Sequence, residues 1–430
     1  MKGISMREKL QSFFIIDKNK VMSSSVVWNT LAGLLSAGQS ALILIFISRN
    51  LTILDAGMFV IAFAIAVLAS TIARYGMRNY QVTDTTAHIH FREYLVMRLI
   101  IISGTIVVIV VFLTILVTFG HYSPYMAFVI GGLTLYRMID AFEDVHLGVY
   151  QQQGRLDVGS KIMTIRLLLS TLSICLSLHL GLGLLQSVGI GIIVSIVTAV
   201  VLLLLTYPLF RIATTKVNRE KIKQLLIDGF PLCIGLSLAV YVGNVPKYMI
   251  DAFGNVELQA HFGFLMMPVF VVLILSNFIF QPIIKQLGDG WNQGEYSVFA
   301  TKVWRQCYVI CGLTIVVTLL GIFLGLPILS LLYQVDLHMH KLEFGMLLVG
   351  GGIYALATFM AIPITIIRKQ SIIARGHVVV TILSLILGGY LVKSFNLLGA
   401  ALLYLVLNSI LVSVFTFTLF RGISKKKVLE

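Results

Sequence analysis

The feature that most limits this chain is a succession of apolar stretches, each about as long as a bilayer is thick. Between Val26 and Ser48, for instance, no residue carries a charge. A hydrocarbon core of about 30 Å needs about 20 apolar residues per helix. On that ruler, spans are expected at 21–49, 56–77, 94–119, 124–150, 160–180, 183–210, 227–251, 258–283, 303–333, 344–366, 373–392 and 396–420. A β-barrel is excluded, because barrel strands run for only about 10 residues and alternate in polarity. With 58% hydrophobic and 12% charged residues, the chain has more apolar side chain than a soluble core could bury, so lipid must be its main solvent.

Lysine and arginine favour cytoplasmic loops near span ends, which orients the twelve spans. With the N-terminus inside, the cytoplasmic face takes Lys2 to Lys20, then Arg74, Arg78, Arg92 and Arg98, then Arg155, Lys161 and Arg166. It also takes the basic stretch Arg211–Lys223, residues Lys285, Lys302, Arg305, Arg368, Lys369 and Arg375, and the tail Arg421–Lys427. The opposite face keeps Arg49, Lys341 and Lys393. Both termini are therefore expected in the cytoplasm. The formal net charge of +14 reads mainly as a topology signal plus attraction to anionic membrane lipids, and no basic folded domain exists to bind nucleic acid. The first 20 residues lack a signal-peptide pattern, so no cleavage is expected.

Cys175, Cys233, Cys307 and Cys311 fall in spans and read as small apolar residues. The pairs His88/His90 and His338/His340 have no third ligand close in sequence, so neither a metal nor a cofactor is expected. A glycosylation sequon at Asn50-Leu51-Thr52 lies too near the membrane to carry weight.

The expected organisation is a cytoplasmic segment 1–20, an N-lobe 21–210 of six spans, a linker 211–226, a C-lobe 227–420 of six spans, and a basic tail 421–430. Ile222, Leu225 and Leu226 against Lys221 and Lys223 suggest an amphipathic linker helix on the inner surface. The halves also echo each other, with residues 54–59 (LDAGMF) lying over 257–262 (ELQAHF) at equivalent turns. An even number of spans per half makes the repeats parallel. The fold class is therefore all-α integral membrane, twelve transmembrane helices in two six-helix lobes related by a pseudo-twofold axis along the membrane normal, with a cleft expected between them. No nucleotide loop, zinc-protease motif or nucleophile elbow is present, so transport is a better reading than catalysis.

The fourth span poses the functional question. Arg137, Asp140, Asp144, Gly148 and Gln151 share one helical face, with Glu143 to its side. Charges in hydrocarbon must face water or a partner helix. Span seven carries Asn244, Lys247 and Asp251 at helical spacing, and Pro246 is expected to kink or break the helix there. Asn29 on span one, Arg74 and Arg78 on span two, and Asn277 and Gln281 on span eight extend the polar set. Two readings stay open: Arg137–Asp140 and Lys247–Asp251 tie helices together as ion pairs, or they contact cargo and ions. Arg and Lys suit an anionic substrate, while Asp140, Glu143, Asp144 and Asp251 are candidates for H⁺ or Na⁺ coupling.

On VVWNTLAGLLSAGQSALILIFISRNL, LDAGMFVIAFAI, GVYQQQGRLDVGSK and YMIDAFGNVELQAHFGFLMMPVFVVLILSNFIFQPIIKQL, the chain resembles the Wzx-like polysaccharide flippases of the MOP superfamily, relatives of MATE transporters. The resemblance implies a bacterial cytoplasmic-membrane protein that flips an undecaprenyl-pyrophosphate-linked oligosaccharide, such as an O-antigen or capsule unit, from inner to outer leaflet, alongside a polysaccharide polymerase. It implies cationic cleft residues, and Arg137 and Lys247 match that role, with Arg74, Arg78, Asn29, Asn244 and Gln281 around them. The carboxylate cluster is denser than a phosphate cleft needs. A MATE-like cation-coupled exporter of drugs or metabolites shares the expected fold and is the alternative.

Overall fold

The computed structural model of the protein describes residues 12–84, 89–210, 217–280 and 283–427. A backbone in hydrocarbon must satisfy its own hydrogen bonds, and among the described residues every regular element is a helix. In chain order they are α1 (Val21–Asn50), α2 (Ile53–Arg74), α3 (Met77–Thr83), α4 (Phe91–Thr118), α5 (Pro124–Gln152), α6 (Leu156–His179), α7 (Leu184–Thr206), α8 (Arg219–Phe253), α9 (Val256–Met266), α10 (Val269–Phe280), α11 (Ile284–Asn292), α12 (Tyr296–Leu320), α13 (Leu326–Tyr333), α14 (Lys341–Ile366) and α15 (Gln370–Lys427).

Eleven stretches among the described residues are long and apolar enough to cross a membrane. The eleventh contains the last two expected spans. As a straight rod, the 58 residues of α15 would reach about 87 Å, far more than a bilayer core. At Asn396 the backbone leaves helical geometry, with φ 50° and ψ −124°, and the chain doubles back. The His377 and Phe415 rings, one on each arm, lie 6.3 Å apart. Eleven apolar stretches thus hold the twelve spans. The expected eighth span is divided between α9 and α10 around Pro268, and the ninth joins α12 to α13 through a π-helical turn at Gly321–Gly325.

Helix starts follow local chemistry. Thr52 caps α2 in a reciprocal box with Asp55, its hydroxyl donating to Asp55 Oδ2 at 2.6 Å. Thr52 thus has a structural use in its own turn. In the corresponding turn of the second half, Asn255 Oδ1 accepts from Leu258 N at 2.7 Å to cap α9. The echo between 54–59 and 257–262 therefore includes a matched cap. Ser123 accepts from Met126 N ahead of Pro124, which starts α5 with no hydrogen-bond loss.

The chain divides into two compact units. The first comprises the described residues up to Asp55 together with Ala62–Ser237; the second comprises Ala56–Ile61 and the described residues from Leu238 onward. In the first unit α1 packs along α6, and α4 and α7 flank α5. The N-terminal strap is anchored in it: Phe14 is buried beside Tyr150, Val158 and Ile162, and its carbonyl accepts from Arg155 at 2.8 Å. Lys161 donates to the Phe13 carbonyl at 2.8 Å. Both cations, counted on the cytoplasmic side from sequence, also serve the fold through these carbonyls. In the second unit α14 is central, packed by α15, α12 and α10.

Two local expectations are corrected. Residues 219–226 are not a separate helix on the inner surface; they are the first turns of α8, and Ile222 and Leu225 are buried against Met77, Tyr94 and Val145. The apolar stripe read as membrane-facing has protein as its solvent. Likewise α8 remains helical through Pro246, so no break occurs at Lys247.

The α15 turn supplies a stability test. A Cβ on Gly399 would overlap the Leu391 carbonyl, which is backbone and cannot give way. Gly399→Ala should cost about 1–3 kcal/mol and lower the melting temperature of the purified protein by several degrees. Gly33→Ala, at a position with nothing within 4 Å, should leave it unchanged or slightly raised.

Candidate functional site

The polar face of α5 meets partner helices of the first unit. Arg137 lies about 20 Å along α5 from its start, deep in the apolar slab. Its Nη1 stands 2.7 Å from Asp140 Oδ2, close as a charge pair but not aligned as a hydrogen bond. Its Nε has no acceptor among the described residues, and its guanidinium lies 5.4 Å over the Phe63 ring. Asp140 Oδ2 also faces Arg74 Nη2 at 3.7 Å.

Asp140 and Glu143 are held from the other side by Arg166 of α6. Arg166 is fully buried. Its Nη2 lies 2.6 Å from Asp140 Oδ1 and 2.7 Å from Glu143 Oε2; Nε donates to the same Glu143 oxygen at 3.0 Å, and Nη1 donates to Ser195 Oγ of α7 at 3.0 Å. One guanidinium thus joins α5, α6 and α7. Removing three charges from water is strongly unfavourable unless they meet each other, which is what this contact achieves.

One turn further along α5, Asp144 accepts from Arg98 Nη2 of α4 at 2.9 Å and lies 3.8 Å from Arg78. Arg98 also donates to the Ala73 carbonyl at 2.9 Å, capping the end of α2. Arg78 donates to Gln151 Oε1 at 2.9 Å, and Gln81 rests where a side chain on Gly148 would be. Every member of the helical stripe read from the sequence therefore engages the network: Arg137, Asp140, Asp144, Gly148 and Gln151. The ion-pair reading of Arg137–Asp140 holds geometrically, within a larger assembly.

Lys247 belongs to the second unit. Its ammonium donates to Asn244 Oδ1 at 3.0 Å and lies 6.0 Å over the Phe270 ring. It does not form the i,i+4 ion pair with Asp251 considered from sequence; among the described residues Asn244 is its polar partner. Asn29 is exposed on α1, away from the arginine network's contacts. Gln281 lies outside the described residues. Among the described residues, no three His, Cys, Asp or Glu side chains are grouped to hold a metal ion.

Arg98 and Arg166 are the network members the sequence reading assigned elsewhere, as cytoplasmic topology charges. Both fall inside the spans expected at 94–119 and 160–180, so the span boundaries already contained the signal. Proximity to a span end outweighed it.

Eleven stretches long and apolar enough to cross a membrane, with charged side chains buried among the helices of the first unit, define an all-helical membrane fold. Solved structures share that fold along nearly the whole chain. The lipid II flippase MurJ in an inward closed conformation is similar with a TM-score of 0.67 and 12% identity, over 94% of this chain and 90% of that one. A MOP superfamily transporter from Pyrococcus furiosus matches at TM-score 0.62 and 13% identity over 96% and 97%. The Vibrio cholerae MATE transporter VcmN in its bent form matches at 0.59 and 13% over 95% and 98%. No curated protein sequence matches the chain. The family model described as polysaccharide biosynthesis protein matches residues 23–287, and the chain belongs to that family.

The network makes a stability prediction with a built-in control. Arg166→Met strands two buried carboxylates and should cost about 3–5 kcal/mol, read as loss of monodisperse protein after extraction and a lower melting temperature. Adding Glu143→Gln to it should recover part of that loss. Arg74→Met, whose side chain is 35% exposed and 3.7 Å from its partner, should cost under about 1 kcal/mol.

Proposed function

We propose that the protein is a flippase that carries an undecaprenyl-pyrophosphate-linked oligosaccharide, an O-antigen, capsule or related repeat unit, from the inner to the outer leaflet of a bacterial cytoplasmic membrane by alternating access. It acts as a transporter and not as a catalyst, with both termini in the cytoplasm. The observation that carries the proposal is a surplus of cations in one network: among the described residues the buried Arg98, Arg137 and Arg166 and the partly exposed Arg74 and Arg78 engage three carboxylates, Asp140, Glu143 and Asp144. Membership in a polysaccharide biosynthesis family supports the same cargo.

The roles differ by how fully each guanidinium is engaged. Arg166 and Arg98 have their donors spread over carboxylate, hydroxyl and carbonyl oxygens, which fits a structural part. Arg137 and Arg74 each retain a buried Nε without an acceptor and share one carboxylate oxygen. A diphosphate, with oxygens enough for both, would satisfy them by charge-assisted hydrogen bonds in a medium of low dielectric. Asp140 then acts as the resident counter-anion. A proton or a Na⁺ ion at Asp140 would release Arg137 and Arg74 toward the cargo, which gives an ion gradient a route into the cycle. Glu143, Asp144 and Asp251 would be the other carboxylates through which coupling could run. Lys247, Asn244, Asn29 and Gln281 complete the proposed substrate set, anionic lipids form the surrounding leaflet, and a polysaccharide polymerase would take the product.

A cationic drug would be repelled by the same surplus, which counts against the exporter reading. Depletion of the protein in cells should trap the diphosphate-linked oligosaccharide on the cytoplasmic side and remove surface polysaccharide. Arg137→Ala should reduce translocation to background at near-normal membrane abundance. Unchanged lipid-linked intermediates on depletion, with altered retention of cationic drugs, would overturn the proposal in favour of export.

A further inference from the structure

A groove on the second unit has no part in the proposed transport. Thr301, Trp304, Arg305 and Tyr308 of α12 recur at i, i+3, i+4 and i+7 and so share one face of the helix. The opposite face is committed to the core, with Phe299, Val303 and Ile310 buried. Where the first face meets Phe420 and Ser424 near the end of α15, the two helices wall a cavity of about 580 Å³. Small-molecule sites hold about 300–1,000 Å³. Tyr308 and Phe420 are 75% and 64% exposed, so the groove opens outward from the unit.

Polarity changes along this groove. As parts of the ninth and twelfth spans, α12 and the second arm of α15 cross in opposite senses, so Thr301 near the start of one and Ser424 near the end of the other share a level. Tyr308 lies about 10 Å deeper than Thr301, and Phe420 about 6 Å deeper than Ser424. Arg305, one turn below Thr301, is exposed and can extend its guanidinium up to the hydroxyl level while its stem stays among the rings. Hydroxyls and a cation above aromatic and apolar surface follow the order of headgroup and chains in a phospholipid, and Trp and Tyr favour that depth. Among the described residues that line the groove none is a carboxylate, so an ethanolamine ammonium would meet Arg305 and no counter-charge. Arg421, next to Phe420, stands 4.2 Å over the Phe417 ring and keeps the rim positive. Thr301 Oγ1 donates to the Ser297 carbonyl at 3.0 Å, which leaves it an acceptor for a headgroup hydroxyl. One guanidinium matches the single charge of a phosphodiester.

We infer that the groove between α12 and the end of α15 binds a glycerophospholipid with an anionic, hydroxyl-bearing headgroup, of which phosphatidylglycerol is the simplest. Its phosphate meets Arg305, its headgroup hydroxyls meet Thr301 and Ser424, and its chains run along Trp304, Tyr308 and Phe420. This lipid is a resident of the second unit and not cargo, so the inference does not rest on the flippase reading.

The test uses the full-length protein with Trp28→Phe and Trp291→Phe, which leaves Trp304 as its one tryptophan, in phosphatidylcholine vesicles. A minor fraction of chain-brominated phosphatidylglycerol, or in a parallel sample chain-brominated phosphatidylcholine, is added, because bromine quenches an indole only at close contact. At equal mole fraction the glycerol lipid should quench Trp304 about fivefold more effectively, the worth of one basic residue at an anionic surface. Arg305→Gln should bring that down to the phosphatidylcholine level. Arg375→Gln, which changes an exposed cation of the same unit outside the groove, should leave it unchanged. Native mass spectrometry of the protein with all its tryptophans should likewise find phosphatidylglycerol retained over phosphatidylcholine, a comparison that stands whatever the substitutions do to folding. Equal quenching or equal retention of the two lipids overturns the inference, and so does a preference that survives Arg305→Gln, which would belong to the overall basic charge. Weak quenching by both lipids overturns it as well, with a dimer in the same vesicles naming a second copy as the occupant. Relief of the quenching by equimolar prenyl diphosphate would assign the groove to the cargo and overturn it too. Each of these outcomes leaves the measured translocation, and with it the flippase reading, untouched.

Discussion

The contact of Arg166 with Glu143 and Asp140 is the interaction on which the first unit depends. A guanidinium with no exposure cannot be hydrated, so α5 must present carboxylates to it and α7 a hydroxyl, and these partners fix the mutual register of three membrane helices. The Tyr136 and Ser170 hydroxyls, 2.7 Å apart and one turn back along α5 and one turn on along α6, extend the same register. Once Asp140 is committed there, its second oxygen is the one available to Arg137 and Arg74. The charge-bearing side of the unit follows from a structural need met on its other side.

The second unit reaches tight packing by another route. Gly350, Gly351 and Gly352 put three faces of α14 against neighbours: a Cβ on Gly350 would come within 2.7 Å of the Tyr404 ring, and those on Gly351 and Gly352 would overlap Val269 and Thr314. Small residues let helices approach until dispersion and backbone contacts hold them, which needs no charge in lipid. Against that background Lys247 is conspicuous. Its ammonium meets the Asn244 amide oxygen at 3.0 Å, whereas the buried Arg98, Arg137 and Arg166 of the first unit each have a carboxylate partner.

Span positions and the helical stripe on α5 were legible in the sequence because both rest on simple periodicities: hydrocarbon thickness for the spans and 100° per residue for the stripe. The matched caps at Thr52 and Asn255 show that the weak echo between halves had a physical basis in turn chemistry. The carboxylate partners of Arg98 and Arg166 were not legible, because the positive-inside rule treats any cation near a span end as a marker of sidedness and has no term for a carboxylate on another helix. The same rule is silent on the contacts of Arg155 and Lys161 with Asp157 and with backbone carbonyls of the N-terminal strap. In Ile222 and Leu225 the apolar pattern was right but not its solvent, since an amphipathic stripe looks alike whether it faces lipid or protein.

These unread contacts share a cause that bears on mechanism. Composition reports how many charges a membrane protein carries, but only tertiary contacts report which are neutralised. In the first unit the neutralisation is incomplete by design of the contacts: one carboxylate oxygen serves two guanidiniums, at 2.7 Å and 3.7 Å. On the proposed reading, an anion that met Arg137 would exchange one buried ion pair for another, so the desolvation of Arg137 has already occurred during folding and is not charged again to binding.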